Sequence, residues 1–262
     1  MTTPDPHLFA AIVSVPIGLV VGSFAGVVAD RAPRGESVVR PPSHCVACGV
    51  LVRPADNIPV FSYLLLRGRC RSCKARIPPR DLVIEIVTAG LFVLLAFRLP
   101  TPYALPAYLV LAAGLVALSA VDLELRRLPT PIVYWTGGVA GALLVFASGM
   151  TGHWNNLLQA LIGGAACFAV FFAIFFISPR GMGFGDVRLA GLCGTFLGWT
   201  AIVAIPIGIF AGFVLAGLPA IALLVAGKAT RKTQVPFGPF LAAGTIVGIC
   251  FGQVVGHALG HL

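Results

Sequence analysis

Residues 187–227 hold forty-one positions and a single charged side chain, Arg188. As one helix that run would be about 60 Å long, twice a hydrocarbon core of about 30 Å. The run therefore belongs in a membrane and has to fold back once, with the reversal expected within residues 199–206. The rest of the chain agrees: 58% of its 262 residues are hydrophobic and 10% charged, against about 25% charged in soluble domains. Apolar runs near 8–28, 82–99, 103–121, 131–149, 157–178, 187–205, 207–227 and 237–258 predict about eight transmembrane helices. The expected fold class is an all-α polytopic membrane protein, with the lipid bilayer as its first partner.

The basic residues orient it. Ten of eighteen Lys and Arg fall in residues 31–80, and Arg126, Arg127, Arg180, Arg188, Lys228, Arg231 and Lys232 make up all but one of the rest. With eight spans these seventeen share one face, and only Arg98 lies on the other. The positive-inside rule makes that face cytoplasmic and puts both termini outside. The net charge of +9 follows from topology and attraction to anionic lipid, so no nucleic-acid partner is expected. The start, MTTPDPHLFAAIVSV, lacks the basic region of a cleaved signal peptide and is expected to enter a first span.

Residues 30–81 break the membrane pattern with Pro, Gly and Arg. The expected organisation is a first transmembrane helix at 1–29, a cytoplasmic cysteine-rich loop at 30–81 and a membrane core at 82–262. A loop of about fifty residues buries little apolar surface alone and calls for a staple. Cys45 and Cys48, then Cys70 and Cys73, form two CxxC knuckles twenty-one residues apart, a spacing that suits tetrahedral Zn²⁺. A reducing cytoplasm argues against disulfides. Four protein ligands leave no open coordination position, so the expected zinc is structural, in a small zinc-ribbon-like loop. His44 is read as a bystander, and Cys167, Cys193 and Cys250 as apolar packing.

The chain has nine acids. Asp5 lies in the outer tail; Asp30, Glu36, Asp56 and Asp81 belong to the loop or its junctions. Glu85, Asp122, Glu124 and Asp186 remain near the membrane. Asp122 closes the third span and Asp186 opens the sixth, at about the same depth. Two carboxylates sharing a water titrate as a pair holding one proton, one drawing a proton from water and the other protonating a peptide carbonyl. Gly183 and Gly185, in GFGD, would let a substrate backbone approach and would permit an unusual local conformation. Plain structural roles account for the same residues: Asp186 as a helix N-cap and Asp122 paired with Arg126 one turn on. Glu124, two positions from Asp122, points elsewhere, and Glu85 receives no role.

Five stretches, in order, resemble the type IV prepilin peptidases: GLVVGSFAGVVADRAPRGESVVRPPSHCVACG, DNIPVFSYLLLRGRCRSCKARIPPRDLVIE, VDLELRRLP, GMGFGDVRLAG and PFGPFLAAG. The resemblance implies a membrane aspartic endopeptidase of the GxGD type in the bacterial inner membrane, with its active site at the cytoplasmic face. It would cut the short basic leader from prepilins or pseudopilins, usually after glycine. The family's two catalytic aspartates fall on Asp122 and Asp186. Many members also methylate the new N-terminus with S-adenosylmethionine, a property that accompanies the cysteine loop. This chain departs from the family at Gly26, usually Asn; at Thr130, usually Asp; and at Arg188, often Lys.

Two other classes use the same residues differently. A cation- or proton-coupled transporter would relay charge through Asp122 and Asp186, and an adaptor would use the cysteine loop to bind another protein.

Overall fold

The computed structural model describes residues 6–99, 101–178, 182–226 and 236–258. Of the positions weighed above, Asp5, Arg180, Lys228, Arg231 and Lys232 lie outside these residues. Among the described residues the chain is helical, without strands, and eight helices are long.

The chain divides into two compact units, Met1–Phe97 and Arg98–Leu262. The first contains α1 (Pro6–Arg31), a short α2 (Phe61–Leu65) and most of α3 (Arg80–Arg98). α1 and α3 meet backbone to backbone: a Cβ on Gly18 would lie 2.6 Å from Ala89 Cα, and one on Gly22 2.8 Å from Glu85 Cα. Glycine is the residue that allows such an approach. The loop between α1 and α3 is mostly irregular, with 3-10 turns at Ala32–Arg34 and Pro54–Asp56.

The second unit holds α4 (Leu105–Leu125), α5 (Thr130–Thr151), α6 (Trp154–Ile177), α7 (Phe184–Thr200), α8 (Ala204–Val225) and α9 (Gly238–Ala258). They pack as the pairs α4–α5, α6–α7 and α8–α9, with α4 and α7 both against α9. α7 is the innermost helix, burying Val187, Leu189, Cys193, Phe196, Leu197 and Trp199. The run at 187–227 folds back as expected. Ala201 is extended (φ −174°, ψ 147°), and α8 starts at Ala204.

Glycine seams join the pairs. A Cβ on Gly194 would lie 2.5 Å from the Gly163 carbonyl, one on Gly198 2.4 Å from the Gln159 carbonyl, and one on Gly244 2.4 Å from the Gly208 carbonyl. Gly138 and Gly141, in an equally glycine-rich stretch of α5, face open space. Buried polar groups close on one another, as burial requires: the Tyr108 hydroxyl donates to the Phe196 carbonyl at 2.9 Å and lies 2.6 Å from Thr200 Oγ1, while Trp199 Nε1 donates to Ser148 Oγ at 3.2 Å.

Five of the helices, α1, α4, α5, α6 and α8, are long and apolar enough to cross a membrane. α3 carries Arg80, Asp81, Glu85 and Arg98. α7 has only 17 residues, about 26 Å of helix, and α9 is apolar over Gly238–Gly252. Phe9, Ile12, Leu161, Phe176 and Ile177 are among the exposed apolar side chains of the spanning helices, as expected where the surrounding solvent is lipid.

Candidate functional site

Asp122 occupies the last turn of α4 and is 5% exposed. Its Oδ2 accepts the backbone N–H of Gly238, the first residue of α9, at 2.9 Å. A Cβ on Gly238 would lie 2.8 Å from that oxygen, so the contact exists only because position 238 has no side chain. Pairing with Arg126 is not what the structure shows. Arg126 is exposed and ends α4 in the left-handed conformation (φ 51°), its N–H donating to the Asp122 carbonyl.

Asp186 is half-buried in the first turn of α7. The helix begins at Phe184, so Asp186 is its third residue and not its N-cap. Its Oδ2 reaches back to accept the N–H of Gly183 at 3.1 Å, one arm of a capping box. Gly183 is in the ordinary extended region (φ −78°, ψ 148°), so the unusual conformation expected of this glycine is absent. Smallness is what it supplies: a Cβ there would lie 3.3 Å from Asp186 Oδ2.

The structure brings the two acids together. They are close enough for the charge of Asp122 to act on Asp186, and each is anchored through Oδ2 by one glycine N–H. Leu128 lies against the glycines next to them: a Cβ on Gly185 would be 2.9 Å from Leu128 Cβ, and one on Gly238 3.2 Å from Leu128 Cδ2. Arg188, one turn into α7, donates from Nη1 to Thr130 Oγ1 at the start of α5. Its guanidinium stacks 4.5 Å from the Phe184 ring and 5.8 Å from that of Tyr134. Thr130 and Arg188, two positions where the resemblance described above is broken, are thus partners.

In the first unit the four loop thiols converge. The Sγ atoms of Cys45, Cys48, Cys70 and Cys73 all lie within 4.8 Å of one another, with Cys45 and Cys73 at 3.8 Å. A tetrahedron with Zn–S bonds of about 2.3 Å has edges of about 3.8 Å, so the donor set fits zinc. The two knuckles fold alike. Gly49 N–H donates to the Cys45 carbonyl at 2.8 Å and Lys74 N–H to the Cys70 carbonyl at 3.1 Å. Both fifth residues are left-handed, Gly49 at φ 70° and Lys74 at φ 59°. Backbone N–H groups of Cys73 and Ser72 directed at its sulfur lower the Cys70 thiol to about 7, whereas at Cys48 a backbone hydrogen bond from Val50 is outweighed by desolvation and the neighbouring sulfurs, which push that thiol up to about 11. His44 stands apart, its Nδ1 3.3 Å from the Pro42 carbonyl. Cys167, Cys193 and Cys250 are buried free thiols.

Sequence reasoning missed Glu85. It is buried, and its Oε2 accepts the N–H of Val60 at 2.8 Å. Val60 sits at φ 62°, a costly conformation for a β-branched residue, so Glu85 pins the loop where it is strained. Its partner is twenty-five residues away and is a backbone group, which leaves no mark in the sequence. Gly238 was missed as a ligand of Asp122 for the same reason. Asp30, in the last turn of α1, and Glu36, in the loop after it, are exposed charges paired with Arg34 at 2.6 and 2.9 Å.

Together these features define a multi-pass membrane protein with two acids gathered at helix ends and a separate four-thiol centre. Residues 17–99 match the Bacterial Peptidase A24 N-terminal domain, and residues 109–226 match the Type IV leader peptidase family. The Prepilin leader peptidase/N-methyltransferase of Pseudomonas aeruginosa is 30% identical over 91% of this chain and 89% of its own. The protein of that name from Dichelobacter nodosus is 31% identical over 100% and 97%, and that from Myxococcus xanthus 35% over 87% and 67%. The chain belongs to the type IV leader peptidase family. No solved structure matches it.

Proposed function

We propose that Asp122 and Asp186 are the catalytic pair of a membrane aspartic endopeptidase that removes the basic leader of type IV prepilins or pseudopilins. The observation that carries this reading is their convergence from α4 and α7, each anchored through one oxygen by a glycine N–H. The other oxygen of each carboxylate is then offered to the reaction. One carboxylate takes a proton from water as the water attacks the scissile carbonyl, and the other protonates the carbonyl oxygen. Collapse of the tetrahedral intermediate transfers a proton to the leaving amine and frees the mature N-terminus. Fixing both carboxylates before substrate arrives lowers the entropic part of the barrier. The clustering of Lys and Arg in the loops supports a cytoplasmic face for this chemistry, with both termini outside.

The names of the relatives extend to N-methyltransferase, and for this chain the second reaction would be methylation of the new N-terminus, with S-adenosylmethionine as the methyl donor implied by the resemblance. A cavity of about 420 Å³ in the first unit has the size of a small-molecule site. Phe24, Arg31 and Asn57 line it and would supply an aromatic face and polar groups to such a cofactor, Arg31 being held in place by donating from Nη1 to the Ser37 and Pro41 carbonyls. Zn²⁺ on Cys45, Cys48, Cys70 and Cys73 would supply rigidity and no reaction step. The comparisons lend the transporter reading no support.

The test is co-expression with a prepilin and mass spectrometry of the pilin N-terminus. Leader loss with the native chain, and its absence with Asp122→Asn or Asp186→Asn, supports the pair; persistence in a variant sinks it. A further mass of one methyl group reports the second reaction.

A further inference from the structure

Residues 126–130 join α4 to α5, and three features pin them. Arg126 is left-handed with its N–H on the Asp122 carbonyl, Pro129 fixes its own φ at −61°, and Thr130 is held by Arg188. The segment carries Leu128 into the space between the two acid-bearing backbones. Its Cβ faces Gly185, the neighbour of Asp186, and its Cδ2 faces Gly238, the anchor of Asp122. A side chain on Gly185 would collide with Leu128 Cβ, and one on Gly238 would press on its Cδ2 methyl. Yet Leu128 remains half-exposed, unlike the buried leucines of α4 and α7. A peptide whose scissile carbonyl reaches both carboxylates therefore shares its van der Waals boundary with this side chain.

We propose that Leu128 is a specificity-determining residue: a wedge that limits the side chain accepted immediately before the scissile bond, held in place by the Arg188–Thr130 contact. The inference rests on Asp122 and Asp186 being the catalytic pair. Arg188 acts through Thr130 and is a positioning residue. Its hydrogen bond, together with stacking on Phe184 and Tyr134, fixes the loop that bears the wedge. Removing three carbons from Leu128 opens space next to the reacting carbonyl without touching either carboxylate. The extra space favours bulkier substrates over glycine, whereas damage to the fold would slow every substrate in proportion.

The test uses the full-length chain in detergent or membranes and a prepilin series with Gly, Ala or Val before the scissile bond. kcat/KM is compared for the native chain, Leu128→Ala, Leu128→Val and Arg188→Lys. The native chain is expected to rank Gly above Ala above Val. Leu128→Ala is expected to shrink the Gly-to-Ala ratio by about tenfold or more, the worth of a methylene or two in a binding site, and Leu128→Val to shrink it less. Arg188→Lys retains a donor to Thr130 and is expected to keep the native ratio. A ratio unchanged in both Leu128 variants, at whatever absolute rate, overturns the wedge and leaves the peptidase reading standing. Failure of the native chain to cleave any of the series overturns the peptidase reading, cleavage surviving Asp122→Asn overturns the catalytic pair, and either removes the wedge with it.

Discussion

The backbone N–H of Gly238 donates to Asp122 Oδ2 at 2.9 Å, joining residues 116 positions apart and making the first residue of α9 part of the acid site. A Cβ at 238 would lie 2.8 Å from the carboxylate oxygen, so Gly238→Ala must push Asp122 aside. Misplacing a catalytic group by a fraction of an ångström to one ångström costs up to about 10²-fold in rate. Gly238→Ala is expected to lower leader cleavage by about 10–100-fold. Gly138→Ala, facing open space, is expected to leave it unchanged. Initial cleavage rates of the three chains check this.

For the acids themselves, Asp122→Asn and Asp186→Asn keep the size and the N–H acceptor at each position but remove the titrating group. General acid–base chemistry is worth about 10²–10⁴-fold. Each variant is expected to fall by that factor with its melting temperature preserved, and the double variant to fall little further, because the pair acts as a unit. Single-turnover cleavage with scanning fluorimetry on the same samples decides it.

At the four-thiol centre, metal analysis of the purified chain is expected to find about one zinc per chain. Cys45→Ser and Cys73→Ser are expected to lose it and to make residues 45–73 a preferred site of tryptic cleavage, since metal binding and folding are coupled in such loops. Full zinc occupancy in either variant would argue against the four-cysteine assignment.

Glu85→Ala strands the Val60 N–H. The contact is part-buried, so losing the acceptor costs toward the low end of the about 1–3 kcal/mol of a buried unsatisfied donor, and Val60 already bears an unfavourable φ. The same protease assay is expected to show a loosened loop in Glu85→Ala and a near-native one in Glu85→Gln, which keeps an acceptor. Equal protection in both variants would mean that the contact does not hold the loop.

The helices were legible because the solvent dictates them. Long apolar runs have one low-energy form in lipid, and the 187–227 run had to reverse where its length exceeded the hydrocarbon core. Finer boundaries were less visible. α7 starts at Phe184 and not at Val187, because Asp186 caps backwards onto Gly183, a choice that side-chain propensities alone do not make. In the acid site, Asp122 and Asp186 could be picked by elimination from nine acids. Their anchors, however, are glycine backbone groups, and backbone donors are the same at every position of a sequence. Leu128, Thr130 and Arg188 were hidden for another reason: their roles depend on which helix ends meet, a property of packing that no local pattern encodes. The thiol centre was the most readable part, since paired CxxC spacing already determines the knuckle geometry.

The α6–α7 seam has a consequence for measurement along the membrane normal. Backbone meets backbone at Gly163, Gly194 and Gly198, so sliding α7 by one residue, about 1.5 Å, would drive Cβ atoms into carbonyl groups. The two helices are indexed like a toothed rack, without the slack that interlocking long side chains provide. Asp186 is carried at the end of that rack, and its height is therefore set by α6. A substrate fixed in the bilayer by its own apolar segment would be cut at a constant distance from it, as though against a ruler.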